Sequence, residues 1–580
     1  LDQPMPLVRG DRPDSQFDSA AKAIYTHQRP GSAASGVTPA RTLVGPETYH
    51  VVSLGVGLGF HLPTLIERTD CGNLYLLEVN LEFLYHSMFV FDWSRVFDTS
   101  RPTTMSMTLI TRIDMLKTPI LIRETIRTSG PSLFEGTKIL MHYPNHEYQA
   151  VFQGLMKDLG LTYSGLGFLS DEVRMVRNAY LNLKDERSCD FRTLEPATDW
   201  PVILVGSGPS LDDTIDALRR NADHAIVIAC GTALPALMRH GIRPDIFTIL
   251  ENVPEIYDYV KAAADAWGTQ GITLVASVTI DPRIPPLFER TVLFHRTGLA
   301  SFPLFCQEPG SMLQWCYPTV TNTGLAVAFG LGLRTLYLFG IDLGARHPER
   351  HHSSHSPYLA DDMDYDGKME KPVPGNLGGV VYADYVLDWA RDAFEQALSV
   401  HPLRHRVFNC SDGAFIRGTT PKLARTLDLP RPATAKAEAL DRLWRQLPPY
   451  GGDSFARAWR VDELVASQEA LGDSLLAAIE ANPRARAAII AMTKLLLVPQ
   501  AGPAEHFIRG TLFQEMIACA YFLGRTEGEA RARLDALCRD RLAGAVRAHT
   551  RAIVGFVRDL DAGLTRGPWL IDNAGQPSDW

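Results

Sequence analysis

A short polar turn is the feature of this sequence that most strongly indicates a binding site. It consists of Gly206, Ser207, Gly208, Pro209 and Ser210, between an apolar run and a predicted helix. Glycine lets a ligand approach the backbone closely, and the first amides of a helix attract negative groups such as phosphate. No lysine follows, so the turn is not a Walker loop. It predicts an anion site, with a plain strand-to-helix connection as the alternative.

A second polar segment precedes an apolar helix that we expect over Leu325–Leu333. The segment consists of Thr321, Asn322, Thr323 and Gly324. Its hydroxyl groups, its amide and the first amides of the helix can hold a carboxylate or phosphate without a formal positive charge. The alternative is an ordinary N-cap.

A carboxylate and a group of histidines follow a later apolar strand. Asp342 stands at the end of that strand, where it can accept hydrogen bonds from ligand hydroxyls, orient a histidine, or cap its own turn. The loop beyond it contains His347, His351, His352 and His355. Since no Asp or Cys at ligand spacing accompanies them, we expect one histidine to act as a general base and no bound metal.

Two further turns lie beyond the histidines. Val373–Gly379, which contains Asn376, is expected to form a loop or lid, and Phe408–Ala414 a final strand and turn. Either turn can close over a ligand. Glu251, at the end of another apolar run, completes the set of candidate substrate-binding residues.

These residues need a scaffold that brings strand ends together. Strand-like and helix-like patterns alternate through the middle of the chain, which predicts a mostly parallel sheet covered by helices. The strand candidates are Pro201–Val205, Ala225–Ala229, Asp245–Leu250, Ile272–Ser277, Thr291–His295 and Thr335–Ile341. Ser210 or Asp212 is available to cap the helix after the first of these strands.

The beginning of the chain carries a second glycine-rich unit. A strand from Tyr49 enters a turn with Gly55, Gly57 and Gly59, and a second strand ends at Glu78. A glycine turn followed by such an acid is typical of nucleotide sites, including those of methyltransferases and dinucleotide enzymes. The alternative is a nucleotide-type fold whose site is no longer functional.

Composition suggests several domains in this chain of 580 residues, 46% of them hydrophobic. We predict a flexible lead at 1–40, a Rossmann-like domain at 41–188, a doubly wound α/β domain at 189–430 and a helical domain at 431–580. In the last region apolar residues recur at three- and four-residue steps, which is typical of a bundle core. These residues are Leu534, Leu537, Leu542, Val546, Ile553, Phe556, Val557 and Leu560.

Several classes of protein are disfavoured. A net charge of −9 argues against a general nucleic-acid binder, and eight scattered cysteines without CxxC pairs predict reduced thiols. No apolar stretch reaches the length of a membrane span, and no secretory signal is visible, so we expect a cytoplasmic protein.

The motifs taken in order resemble the motility associated factor (Maf) glycosyltransferases, over roughly residues 45 to 425. The matching segments are GVGLGFHL, LLEVNLEFL, GSGPSLD, GTALPALMRHGIRPDIF, TNTGLAVAFGLGLRTLYLFGIDL, PGN-x-GG and FNCSDGAFIRGT. The central domain is also similar to bacterial sialyltransferases, which share a GPSL turn and a strand ending GID. The resemblance therefore implies a central sialyltransferase-like domain.

The resemblance implies transfer of a nonulosonic acid, pseudaminic or legionaminic, from its CMP derivative onto Ser or Thr of flagellin. Such a reaction needs anion stabilisation at the phosphate and a base for the acceptor hydroxyl, but no cofactor beyond the donor. By motif match the 206–210 turn would contact CMP, the 321–323 segment the sugar carboxylate or phosphate, and Asp342 the nucleotide or its neighbouring loop.

The base is expected to be His352, with His351 and His355 as alternatives, although the family pattern has a single histidine after the strand. Ser207 stands where the sialyltransferase turn commonly carries Asn. Donation to the leaving phosphate is open among three tyrosines. These are Tyr358, Tyr365 and Tyr382.

Two other functions stay open. A pterin pyrophosphokinase shares the central turn and helix pattern, and Asp212, Asp213 and Glu251 are available to hold its magnesium. A noncatalytic flagellin-binding protein would instead use the helical domain as a docking surface.

Overall fold

The computed structural model describes two compact units. The described residues are 48–69, 71–96, 105–115, 117–134, 136–157, 166–185, 187–196, 198–360, 367–400, 405–451, 453–565, 567 and 569. Unit 1 takes its residues from 1–173 and 461–579, and unit 2 from 174–460. The predicted lead at 1–40 and Tyr365 lie outside the described residues. The predicted bounds of the four segments stay a prediction.

The first part of unit 1 is a Rossmann-like sheet and its helices. Its described strands are parallel, in the order β3-β2-β1-β4. The strands are β1 His50–Leu54, β2 Asn73–Leu77, β3 Ser106–Ile110 and β4 Lys138–Met141. The helices are α1 Leu62–Glu67, α2 Leu81–Val90, α3 Lys117–Ser129 and α4 His146–Lys157. Every residue of β1 and β2 is buried, as expected where both faces of a sheet are covered.

The glycine turn after β1 is closed by the acid that follows β2. The Glu78 carboxylate is fully buried and accepts hydrogen bonds from the amides of Val56 (2.9 Å) and Gly57 (3.1 Å), which belong to that turn. The Asn80 amide and the hydroxyls of Tyr143 and Tyr148 also donate to Glu78. An acid that binds ribose hydroxyls faces the ligand. Glu78 faces its own turn, an arrangement that favours the alternative of a fold without a working nucleotide site.

A long helix, α5 Leu169–Lys184, leads from unit 1 into unit 2. The large sheet of unit 2 is parallel throughout its described residues, in the order β15-β14-β11-β6-β7-β8-β9-β10-β5. Its strands are β5 Cys189–Asp190, β6 Val202–Val205, β7 Ile226–Cys230, β8 Ile246–Ile249, β9 Thr273–Ser277, β10 Arg290–Phe294, β11 Thr335–Phe339, β14 Arg406–Asn409 and β15 Thr420–Pro421. The six strands predicted from the sequence are confirmed, and so is the strand predicted near Phe408, although β15 follows it.

Helices and a hairpin complete unit 2. The helices are α6 Ser210–Asn221, α7 Ala233–Arg239, α8 Glu255–Trp267, α9 Ser301–Phe305, α10 Val320–Gly330, α11 Pro357–Ala360, α12 Tyr385–Val400, α13 Lys436–Trp444 and α14 Ser454–Ala458. The antiparallel hairpin pairs β12 Lys371–Pro374 with β13 Val380–Ala383. The expected loop or lid at 373–379 is therefore partly wrong, because its ends belong to paired strands.

The strand order of unit 2 locates a ligand site by the general rule for doubly wound sheets. From β6 the chain adds β7, β8, β9 and β10 on one side, then returns to place β11 and β14 on the other. The direction of winding changes between β6 and β11, and ligands of such sheets bind outside the carboxyl strand ends at that point. The doubly wound α/β architecture predicted from the sequence is confirmed.

Four helices from the last part of the chain belong to unit 1. They are α15 Val461–Glu480, α16 Ala485–Leu496, α17 Pro503–Leu523 and α18 Gly528–Asp561. The apolar stripe predicted on α18 is buried except at Leu537, which is half-buried, so the bundle-core interpretation is confirmed. Within the described part of the chain, no helix combines the length and the apolar character that crossing a membrane requires.

The enclosure of Glu78 leads to a stability prediction. We expect Glu78→Ala to lower the free energy of unfolding of unit 1 by about 3 kcal/mol or more, because several buried donors lose their acceptor. The exposed Glu82 in the first turn of α2 provides the control, and Glu82→Ala should cost about 0.5 kcal/mol or less. Hydrogen exchange at the β1 amides measures both values. Equal protection in the two variants would contradict an internal role for Glu78.

Candidate active site

The turn at 206–210 and the segment Gly340–Asp342 lie side by side at the switch point of unit 2. Gly208 N–H donates to Gly340 O (2.8 Å), and Ser210 N–H donates to Asp342 Oδ2 (3.1 Å). A Cβ atom added at Gly208 would collide with Asp342 Oδ2, so the glycine permits this approach. On this side of the turn, the space that the sequence argument assigned to a ligand is taken by Asp342.

Asp342 is almost completely buried, and burial raises its pKa to about 7. Its hydrogen bonds to Ser210 oppose that rise, whereas the charges of Asp412 and Asp212 add to it. The carboxyl group is therefore partly protonated near neutral pH, which lowers its repulsion of an anion bound at the turn.

The second polar segment lies inside a helix, and the expected start of that helix at Leu325 is wrong. α10 begins at Val320, because Thr319 and Asn322 form a capping box. Asn322 Nδ2 also donates to Ala390 O (2.9 Å), and Thr323 Oγ1 donates to Cys316 O (2.8 Å). Both side chains are buried, and these contacts hold α10 in place.

Thr321 and Gly324 have different surroundings on the same helix. A Cβ atom at Gly206 would lie 3.0 Å from Thr321 Cγ2, so the half-buried Thr321 borders the 206–210 turn. A Cβ atom at Gly324 would collide with Cys230 Sγ of β7, so that glycine serves close packing of helix on sheet. Thr321 is thus the residue of this segment that is best placed to meet a ligand.

The histidine loop is tied to the base of α6. Asp212 accepts from Ser353 Oγ (2.5 Å) and from the Ser354 amide (2.9 Å), and Ser353 N–H donates to Ser207 O (2.8 Å). The predicted capping role of Asp212 or Ser210 is wrong, since Pro209 is the N-cap residue and makes no side-chain cap. Asp212 instead positions the loop over the turn.

The candidate bases differ in their surroundings. His352 stacks on Tyr358 with ring centroids 4.1 Å apart, and its Nδ1 lies 2.6 Å from His351 Nδ1. Burial, followed by the charge of His351, lowers the pKa of His352 to about 3, so the ring is neutral at physiological pH. Farther along the loop, the ring of His355 packs edge-on against the ring of His240, with centroids 4.3 Å apart. His352 is enclosed, and it contacts another candidate residue, Tyr358.

The hairpin turn between β12 and β13 is fixed to the turn after β14. Asn376 N–H donates to Gly413 O (2.8 Å), and its Nδ2 donates to Asn409 O and Ser411 O. Asn376 is buried, and its contacts tie these two turns together. Tyr382, on β13, is partly exposed.

Sequence reasoning missed two residues at the same edge of the sheet. Thr232 Oγ1, after β7, lies 2.6 Å from Ser207 Oγ. Arg296, after β10, interacts electrostatically with Glu251, which follows β8. An apolar run followed by a polar residue is the signal that they share with Glu251, but only the strand order brings them to one edge.

Two observations set limits on the content and the position of the site. Among the described residues no three His, Cys, Asp or Glu side chains form a group that could hold a metal ion. A cavity of about 320 Å³ opens at the amino ends of β9 and β10, away from every candidate residue. Chemistry-bearing side chains gather instead at the carboxyl ends.

Comparison with known proteins shows the family of this chain. The family described as "Glycosyltransferase Maf N-terminal domain" matches residues 23–164, and the family "6-hydroxymethylpterin diphosphokinase MptE-like" matches residues 174–347. The solved structure of the Maf glycosyltransferase from Magnetospirillum magneticum AMB-1 is similar with a TM-score of 0.79 and 31% identity, over 97% of this chain and 86% of that one. The chain belongs to the Maf glycosyltransferase family.

A curated relative is less informative about the Maf family's function. An uncharacterized protein of Treponema pallidum (strain Nichols) is 32% identical over 84 residues, which is 14% of this chain and 39% of that protein. The roles of the individual site residues in this Maf protein stay predictions.

The raised pKa of Asp342 has a measurable consequence for this Maf chain. The pKa of about 7 in the folded chain exceeds the ordinary value of 3.8. Between about pH 4 and 7, Asp342 is therefore protonated in the folded chain and ionised in the unfolded chain. The stability contributed by this group therefore falls as pH rises through that window. We expect Asp342→Asn to flatten the pH profile of unfolding measured with denaturant.

The control for this prediction is Asp216→Asn, because Asp216 is exposed on α6. It should leave the slope of the profile as in the wild type. An Asp342→Asn profile parallel to that of the wild type would show that Asp342 is not protonated in the folded chain.

Proposed function

We propose that the chain transfers a nonulosonic acid, pseudaminic or legionaminic, from its CMP derivative onto Ser or Thr hydroxyls of flagellin. Membership of the Maf glycosyltransferase family supports sugar transfer as the reaction class. The observation that carries the donor assignment is the meeting of the 206–210 turn with Thr321 and the histidine loop at the switch point of unit 2. A nucleotide-sugar donor implies a cytoplasmic reaction.

The donor would be held at its negative groups. In this proposal the Ser207 hydroxyl and the amino end of α6 bind the phosphate, which leaves as a monoester of cytidine. The pKa of Asp342 near 7 allows its carboxyl group to take up a proton when the phosphate arrives. Thr321 stands beside the turn, where the sugar carboxylate would follow the phosphate.

The acceptor hydroxyl needs a base as the glycosidic bond forms. His352 is neutral in the free protein because burial lowers its pKa to about 3, so its lone pair is available, although a base of that pKa is weak. A bound anionic donor would raise that pKa toward the working pH by favouring the protonated ring. Of the candidate tyrosines, we assign donation to the leaving phosphate to Tyr358, because it stacks on His352.

The experiment that tests the proposal is the intact mass of flagellin produced together with this chain and a complete CMP-sugar pathway. We expect a mass increase of one or more nonulosonic acid residues. An unchanged mass, with donor and flagellin both verified, would contradict sugar transfer to flagellin. If flagellin nevertheless binds the chain, the noncatalytic binding function is favoured.

Substitution of the proposed base should separate chemistry from folding. We expect His352→Gln to lower the rate of transfer at least about 100-fold, the contribution expected of a general base, with an unchanged unfolding midpoint. His347→Gln is the matched control, since His347 is exposed in the same loop beside Glu349. Transfer rates from mass spectra of timed reactions measure both. Equal loss in the two variants would contradict His352 as the base.

One observation favours a second function. The central region matches a family described as 6-hydroxymethylpterin diphosphokinase MptE-like. Magnesium-dependent turnover of ATP with a hydroxymethylpterin, and no reaction with CMP-sugars, would favour that activity.

A further inference from the structure

Glu251 and Arg296 follow strands that lie two and four places along the sheet from β6, the strand before the 206–210 turn. Glu251 follows β8, the second strand along from β6. Burial raises the pKa of Glu251, yet part of its surface stays accessible. Its Oε2 accepts a hydrogen bond from the Leu250 amide (3.3 Å), and the remaining lone pairs of the carboxylate can accept from a ligand.

Arg296 approaches the strand ends from the other side of β9. It follows β10, and its Nη2 donates to Thr279 Oγ1 (2.9 Å) in the segment after β9. Its positive charge lowers the pKa of Glu251, against the larger effect of burial. The charge of Glu251 also contributes to the raised pKa values of Cys230, Tyr259 and Tyr358. Arg296 thus lies at the end of β9, the strand between β10 and the one that Glu251 follows.

The spacing fits one nucleotide laid along the strand ends. Neighbouring strands lie about 4.8 Å apart, so the ends of β6 and β8 are separated by roughly 10 Å. In doubly wound sheets the phosphate binds at the first turn and the nucleoside extends over the following strands. Thr232, after β7, then lies under the ribose, and Glu251 lies where the base would end.

We propose that Glu251 and Arg296 recognise the cytosine base of the donor. The carboxylate accepts a hydrogen bond from the exocyclic amine of cytosine. The guanidinium, which can only donate, donates to the O2 and N3 atoms of the base. Uracil presents an oxygen in place of the amine, so it places an acceptor against the carboxylate. This inference rests on the proposed function for its CMP donor and assigns the choice of base to two residues.

The test is equilibrium binding of CMP and UMP by calorimetry to the full-length chain. We expect the wild type to prefer CMP by at least about tenfold, the discrimination of one good base contact. Glu251→Gln should reduce that preference to near unity, because the amide can donate to the uracil oxygen. Glu255→Gln, four residues away on the exposed side of α8, should keep the wild-type preference.

A second variant tests the guanidinium. Arg296→Gln should weaken CMP binding about 10- to 100-fold, the effect of losing a charged hydrogen bond, and should raise the KM for the donor more than it lowers kcat. Arg290→Gln, at the opposite end of β10, should leave both unchanged. Near-ultraviolet circular dichroism of each variant checks that the fold is intact.

The outcomes separate this inference from the proposed function. A CMP preference that survives Glu251→Gln in a folded variant, or a wild type that binds CMP and UMP equally, would overturn base recognition by these residues. Failure of the wild type to transfer sugar from a verified donor would overturn the proposed function, while the ratio of CMP to UMP affinity still judges the base pocket.

Discussion

The hydrogen bond from the Ser210 amide to the Asp342 carboxylate holds together the part of unit 2 on which the candidate site depends. It joins the turn after β6 to the end of β11, the two strands between which the winding of the sheet reverses. The glycine at 208 permits this contact, because any side chain there would collide with Asp342. Burial at this junction raises the pKa of Asp342 to about 7, against the lowering effect of its hydrogen bonds from Ser210, and the carboxyl group lies directly against the turn predicted to bind phosphate.

Other contacts extend this junction into a pocket wall. Asp212 fixes the histidine loop through Ser353 and Ser354, while Asn376 fixes the hairpin turn to the turn after β14. Such hydrogen bonds hold polar loops in one geometry without a large apolar contact. The loop that carries the candidate base is therefore positioned by Asp212, and the hairpin turn by Asn376.

The chain contains two glycine turns of nucleotide-binding type, and their neighbouring acids behave differently. Glu78 is consumed by donors from its own domain, two of them in the turn itself. Glu251 accepts from the Leu250 amide (3.3 Å) and remains partly accessible at the end of β8. The free energy of a buried carboxylate depends on its hydrogen-bond partners, so an acid after a buried strand is enclosed in unit 1 and partly accessible in unit 2.

The local pattern of residues by itself determined the strands, a mostly parallel sheet and the candidate turns. Apolar runs such as Val202–Val205 are predictable because burial on both faces of a sheet leaves a continuous apolar signal. The start of α10 was placed too late because its capping box involves Thr319, whose role depends on the turn before the helix. Tertiary structure alone decided that Asn322 and Thr323 hold the helix, that Asp342 faces the turn, and that Thr232 meets Ser207. Those contacts join residues distant in sequence, and no local periodicity encodes them.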